Sequence, residues 1–417
     1  MEVNQVHIPA GWSEDSLGNL LNYEQPYKYT VDTTEYNDKS GIPVLTAGKS
    51  FLLGYTAEQH NVYKSTPVII FDDFTTDSKF VDFPFKVKSS AMKFLKPKNP
   101  KEVDIKVIFG YIQNLKIRET GGDHKRRWIS EFSKLKVVLP PYTEQTQIAT
   151  ILSKVDEAIA QTEQLISKYT RIKTGLMQDL LTKGIDEHGN IRSEATHEFK
   201  DSPLGRIPKE WDIIRVDDLG DWKGGKTPRK SNKKYWDGAK NLWFSSKDIV
   251  SNLLTDSFYK ISDAAISETN QTLFPAHRSL IFVFRSGILR HTFPVARSEK
   301  DFSINQDIKA LVPNSKYHSE FLYYFFKSIE PIILSSFVKA GTTVESIDGK
   351  AFFDLPIGLP DEKEQLRIQH TFTRLDEQLK YSNLKLSKLQ SLKTGLMQDL
   401  LSGKVRVNHL IKERAKA

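Results

Sequence analysis

The chain has 417 residues, a formal net charge of +8 at pH 7, 39% hydrophobic and 11% aromatic residues, too long for one ordinary domain and too rich in core formers for wholesale disorder. With no Cys, disulfides, thiolate metal sites and a Cys nucleophile are excluded. No apolar run reaches the roughly 18 residues of a membrane span, and residues 1–12 (MEVNQVHIPAGW) lack the basic and apolar regions of a signal peptide, so the expected setting is the cytoplasm.

Residues 1–139 are expected to form a globular part of mixed strands and helices. The run PVIIF at 67–71 reads as a buried strand and residues 102–113 as a helix. After Pro140 the pattern changes: Ile148, Leu152, Val155, Ile159, Ile166, Tyr169, Leu176 and Leu180 fall in steps of four and three, the seam of a coiled coil. At 1.5 Å per residue, the helix predicted over 140–182 is about 60 Å long. Gly175 interrupts it at about 1 kcal/mol relative to Ala, which predicts close approach of another helix there. Residues 183–204 are polar, charged and Gly-containing, as an exposed linker would be.

Residues 205–359 form a second globular part, with a buried strand at 279–284 and a helix at 319–329. A second predicted rod, 360–402, carries the seam Ile368, Phe372, Leu375, Leu379, Leu386, Leu389, Leu396 and Leu400, with Gly395 matching Gly175. Residues 403–417 are a short basic tail. Residues 173–181 and 393–401 both read KTGLMQDLL, and the same displacement of 220 relates Leu139-Pro140 to Leu359-Pro360, Glu144-Gln145 to Glu364-Gln365 and Asp156 to Asp376. The chain is a tandem duplication. The predicted fold class is α+β, with two similar mixed α/β domains joined by two long antiparallel coiled-coil helices.

Three patterns resemble catalytic motifs. Gly220, Gly225, Lys226 and Thr227 fit a phosphate loop, but Pro228 follows at once and no helical period comes after it. Leu139-Pro140-Pro141-Tyr142 resembles an amino-methyltransferase loop, yet Leu139 cannot accept a hydrogen bond from a target amine, and the second copy reads Leu-Pro-Asp-Glu. Asp77-Ser78-Lys79 and Asp348-Gly349-Lys350 have a nuclease-like shape without the further acid such a site needs, and the ten His residues show no ligand spacing. No catalytic, cofactor or metal residue is therefore assigned. What remains is clustered charge: residues 83–101 with six Lys and no acid, 116–127 around Gly121-Gly122, and 223–234 with six basic residues and no acid. Basic loops on two similar modules suggest contacts with the phosphates of one nucleic acid.

Two variable globular regions, each followed by a near-identical helix, resemble the specificity subunit of Type I restriction-modification systems. The KTGLMQDLL segments, the Leu-Pro…Glu-Gln helix starts, Ile207-Pro208-Lys209-Glu210-Trp211 and Gly224-Gly225-Lys226-Thr227-Pro228 carry the likeness over nearly the whole chain. The resemblance implies a subunit without catalytic activity that reads a split target on double-stranded DNA, one half-site per domain. It implies as partners two methyltransferase subunits and two restriction/translocase subunits, which would hold S-adenosylmethionine, ATP and Mg. Lys86, Lys88, Arg126, Arg127, Lys226, Arg229 and Lys233 are the candidate DNA contacts. Gln178, Asp179, Gln398 and Asp399, alike on the outer faces of both rods, are the candidate partner contacts. A coiled-coil scaffold and a self-sufficient methyltransferase or NTPase stay open as alternatives.

Overall fold

Duplicated sequence predicts duplicated topology, and the computed structural model has it. It describes residues 8–38, 40–46, 50–115, 126–341 and 343–414. Contacts divide the chain into two units, Met1–Gln164 with Asn383–Ala417, and Leu165–Ser382. Each holds one globular part, one half of the first long helix and the opposite half of the second.

In the first unit the strands Leu21–Glu24, Met92–Pro97, Val68–Asp72 and Ser78–Val81 form an antiparallel sheet in that order. Val68–Asp72 is an inner strand and buries every side chain, which is why its sequence is a continuous apolar run rather than an alternating one. A smaller sheet pairs Ile42–Leu45 antiparallel with Leu52–Thr56 and parallel with Lys86–Val87. The helix Ile105–Asn114 opens on Asp104, whose carboxylate accepts the Lys106 N–H at 2.9 Å, an N-cap that satisfies an otherwise orphan donor. Its apolar face, Ile105, Val107, Ile108 and Ile112, joins Phe71, Leu95 and Trp128 in one core, to which the long helices add Ile148, Leu152, Leu400 and Leu401.

The second unit repeats this order with Gly220–Gly224, Ile308–Pro313, Leu280–Val283 and Val295–Ser298, and adds Leu253–Leu254 at the edge. Asn241–Phe244 pairs parallel with Phe302–Ile304, as Ile42–Leu45 does with Lys86–Val87. The helix Ser319–Ser328 takes the place of Ile105–Asn114. Each globular part is closed by a short ladder: Ser13–Ser16 with Lys136–Leu139, and Asp212–Arg215 with Pro356–Leu359. Leu139 and Leu359 are the buried last residues of these closing strands. The proline corners therefore turn a strand into a helix.

The long helices are Tyr142–Leu180 and Glu362–Leu401, of 39 and 40 residues. In the first unit Lys393 Nζ lies 2.6 Å from Asp156, and in the second Lys173 Nζ lies 2.5 Å from Asp376. Within each unit the opening half of one helix thus runs beside the closing half of the other, and the pair is antiparallel. Lys173 and Lys393 fill seam positions that the apolar pattern skips, as do the buried Thr162 and Ser382. Polar residues at such positions fix register at some loss of stability. The Lys–Asp pairs are partly exposed, so each contributes at most about 1 kcal/mol. One expectation is corrected: a Cβ at Gly175 or Gly395 would meet nothing within 4 Å, so no helix of this chain approaches either glycine.

The stretches around the rods also differ from expectation. In residues 183–204, Ile185 and Arg192 are buried and Phe199–Ser202 pairs with Gly205–Pro208. After the second rod, Val407 is buried and Asn408–Arg414 is helical. Both segments are held by ion pairs whose acid partners are far away in sequence.

Candidate nucleic-acid interface

In the second unit the strand Gly220–Gly224 runs into the basic loop. Gly225 packs so closely on Ile304 that a Cβ would lie 1.8 Å from the Ile304 carbonyl oxygen, and the Lys226 N–H donates to that oxygen at 3.1 Å. The glycine serves this backbone approach, and no α-helix opens at Thr227, only the short 3-10 turn Lys233–Tyr235 further on, so the phosphate-loop likeness ends at the sequence. Two tryptophans support the loop from below: Trp243 Nε1 donates to the Lys226 carbonyl at 3.0 Å and Trp236 Nε1 to the Arg229 carbonyl at 3.2 Å. Lys226, Arg229 and Lys233 point to solvent and join no ion pair among the described residues. Lys234 differs, being bound to Glu268 at 2.5 Å. The loop is a fixed backbone carrying exposed cations.

The basic run of the first unit is less available than its sequence implies. Lys86 is fully buried, its ammonium 2.5 Å from Glu58 and 3.1 Å from the His60 carbonyl, and that pairing holds the Glu58 carboxyl below its usual range. Lys86 is therefore corrected from a DNA contact to an internal ion pair, because a buried ammonium needs an acid beside it. Lys93 is likewise buried, 2.9 Å from Asp73. Lys88 and Arg126 are exposed. Arg127 lies in the short helix Arg127–Ser130, 3.7 Å from Glu131. The rest of the 116–127 cluster, with Gly121-Gly122, lies outside the described residues.

At the helix ends the duplicated Glu-Gln pairs do structural work that sequence reasoning missed. Gln145 Oε1 accepts the Asp104 N–H at 2.8 Å, while its amide donates to the Pro140 carbonyl at 2.9 Å. Gln365 does the same for the His318 N–H at 3.1 Å and Pro360 at 2.9 Å. Glu144 receives Arg406 Nε at 2.9 Å and Nη2 at 2.8 Å, with the Trp12 indole at 3.2 Å. Glu364 receives Arg192 at 2.6 and 3.1 Å and the Ile185 N–H at 2.8 Å. Each rod thus begins on a buried carboxylate that straps down the segment leaving the other rod.

Burial opposes the charge on Glu144, yet Arg406, the Val407 N–H and Trp12 together hold its carboxyl below the ordinary range. A depressed folded-state pKa gives stability that is present above the unfolded value of about 4.3 and lost as pH falls through the folded one. Glu144→Gln is therefore expected to lower the urea midpoint of the first unit at neutral pH and to flatten its decline below about pH 4. Urea titrations across that range check this.

Among the candidate partner contacts, Gln178 and Gln398 are exposed and line equivalent clefts of about 360 and 630 Å³. Asp179 is 2.8 Å from Lys183 and Asp399 is 3.3 Å from Lys404, so both acids also brace the turns that end the rods.

Two repeated mixed α/β modules, each presenting exposed cations and each built onto an antiparallel pair of helices, define a duplicated recognition subunit. The Type I restriction modification DNA specificity domain matches residues 9–170 and 208–391, and the chain belongs to that family. It is 34% identical to the EcoR124I/EcoR124II specificity subunit of Escherichia coli over 86% of this chain and 85% of that one. Over 98% of this chain and 96% of the relative, it is 24% identical to the MjaVIII specificity subunit of Methanocaldococcus jannaschii. In fold it is similar to the S subunit of a Type I system from M. genitalium, at a TM-score of 0.61 and 15% identity over 96% of this chain and 98% of that one. Another similar chain, from a structure of type I R-M complex assembly and conformational transition, has a TM-score of 0.51 and 17% identity over 96% and 100%. The chain is a specificity component, not an enzyme. Among the described residues no helix is long and apolar enough to cross a membrane.

Proposed function

We propose that the chain reads a bipartite DNA target, with residues 1–139 on one half-site and residues 205–359 on the other, and that its rods recruit two methyltransferase and two restriction/translocase subunits. The carrying observation is the duplication itself: the same strand order, closing ladder and Glu-Gln clamp occur twice, with exposed cations on both globular parts. Half-sites read on one face of B-DNA lie about a helical turn, roughly 34 Å, apart, and rods of about 60 Å are long enough to set such a gap. S-adenosylmethionine, ATP and Mg belong to the partners, with adenine methylation and cleavage as their chemistry. Exchanging residues 205–355 for those of another family member is expected to change one half-site and leave the other half-site and the gap unchanged.

Partner docking is supported by Gly175 and Gly395. Each loses about 1 kcal/mol relative to Ala within a helix, and neither is used for packing inside this chain. Together with Gln178, Asp179, Gln398 and Asp399, they would let a partner helix approach the backbone closely. Gly175→Ala with Gly395→Ala is expected to stabilise the free chain by up to about 2 kcal/mol. Gly175→Leu with Gly395→Leu should leave the chain folded but weaken methyltransferase assembly, checked by urea unfolding and by the mass of the assembled complex.

A further inference from the structure

Two large apolar side chains of the second unit stand in water, Phe258 near the basic loop and Val250 close to Phe258 in sequence. Phe258 is 81% exposed and Val250 is 85% exposed. Neither is loosely held. Asp248 accepts the Phe258 N–H at 2.7 Å through one carboxylate oxygen, and the Ser245 N–H and hydroxyl at 2.8 and 2.7 Å through the other. The Val250 N–H donates to the Asp248 carbonyl at 2.9 Å. One residue therefore pins the backbone under both side chains.

An aromatic chain connects Phe258 to the cations. The Phe258 ring lies 4.8 Å from Tyr259, Tyr259 lies 5.9 Å from Trp236, and Trp236 lies 5.4 Å from Trp243. Trp236 and Trp243 are the side chains that hold the carbonyls of Arg229 and Lys226. Two of the acids nearby are engaged, Asp256 3.0 Å from Lys260 and Asp263 accepting the Asn241 amide at 2.8 Å, while Asp237 beside Trp236 is exposed. The surface is apolar at its tip, cationic at its flank and free of any acid over residues 223–234. That combination is complementary to duplex DNA, which offers apolar base edges and thymine methyls inside a groove walled by phosphates.

We propose that Phe258 and Val250 form the apolar, base-touching part of the DNA contact made by the second globular part, while Lys226, Arg229 and Lys233 hold the flanking phosphates. This rests on the DNA-reading role proposed above. Burying an exposed Phe contributes roughly 1.5–3 kcal/mol, and 1.4 kcal/mol is about tenfold in affinity. Such a contact displaces no counterions, so the salt slope stays as it is.

The test uses the chain assembled with its methyltransferase, titrated with a duplex carrying its methylation target at several salt concentrations. Phe258→Ala is expected to weaken binding about tenfold or more at every salt concentration, with an unchanged slope and normal assembly, and Phe258→Leu is expected to retain most of the affinity. Wild-type binding by Phe258→Ala, while alanines at Lys226, Arg229 and Lys233 weaken it, would overturn the apolar contact and leave the DNA role standing. Loss of assembly instead of DNA affinity would show that Phe258 serves a protein partner and would overturn the proposal. Unaltered binding by both variants would overturn the proposal and the role of the loop together.

Discussion

Arg192→Ala is expected to destabilise the second unit by about 3–5 kcal/mol, because it leaves a buried carboxylate without its cation. The Glu364 side chain is 5% exposed and the Arg192 side chain 9%, so a water entering the vacated space would not supply the lost positive charge. Gly184 packs tightly on the pair: a Cβ there would sit 2.1 Å from Glu364 Oε1 and 2.8 Å from the Trp211 ring. With the cation gone, Glu364 keeps the Ile185 N–H but loses both charge-assisted bonds from Arg192. Hydrogen exchange at the Ile185 amide reports the loss locally, and urea unfolding reports it globally. Replacing both partners, Arg192→Met with Glu364→Leu, should recover much of the stability, since the penalty comes from the unpaired charge rather than from the missing pair. A single-variant loss below about 1 kcal/mol, the range of an exposed pair, would mean that the strap is dispensable.

The triple variant Lys226→Ala, Arg229→Ala, Lys233→Ala is expected to weaken DNA binding of the assembled complex and to make its salt dependence shallower. Each lost phosphate contact reduces the slope of log K against log salt by about 0.9, so three reduce it by up to about 2.7. The fold should be unaffected, because these side chains are exposed and join no ion pair among the described residues. The half-site proposed for residues 1–139 should persist in whatever methylation remains. An unchanged slope would place the phosphate contacts elsewhere.

The parts of this molecule built on local periodicity were legible in its sequence. The seam residues and the repeated KTGLMQDLL located both rods, and the apolar run at 67–71 located an inner strand. Interactions between residues far apart in the chain were not legible. Lys86 belongs to a run of lysines whose local context suggests a solvated face, but its partner Glu58 comes 28 residues earlier. Arg192 and Arg406 meet acids 172 and 262 residues away, and nothing local points to either partner. The duplicated Glu-Gln pairs were visible as repeats, but their role as clamps required knowing which segment each rod faces. Their single local sign is an arginine shortly after each rod, at Arg192 and Arg406. Phe258 was hidden for a related reason, because an apolar residue in a strand-rich segment is ordinarily assigned to a core.

The central claim, one half-site per globular part with a gap set by the rods, is tested most directly by mapping methylated adenines across a genome. The chain would be coexpressed with a Type I methyltransferase subunit, once as it stands and once with either rod lengthened by one helical turn. The expected result is a single two-part motif whose half-sites persist in the lengthened chain while the gap between them widens. A contiguous motif, or half-site sequences that change with rod length, would contradict it.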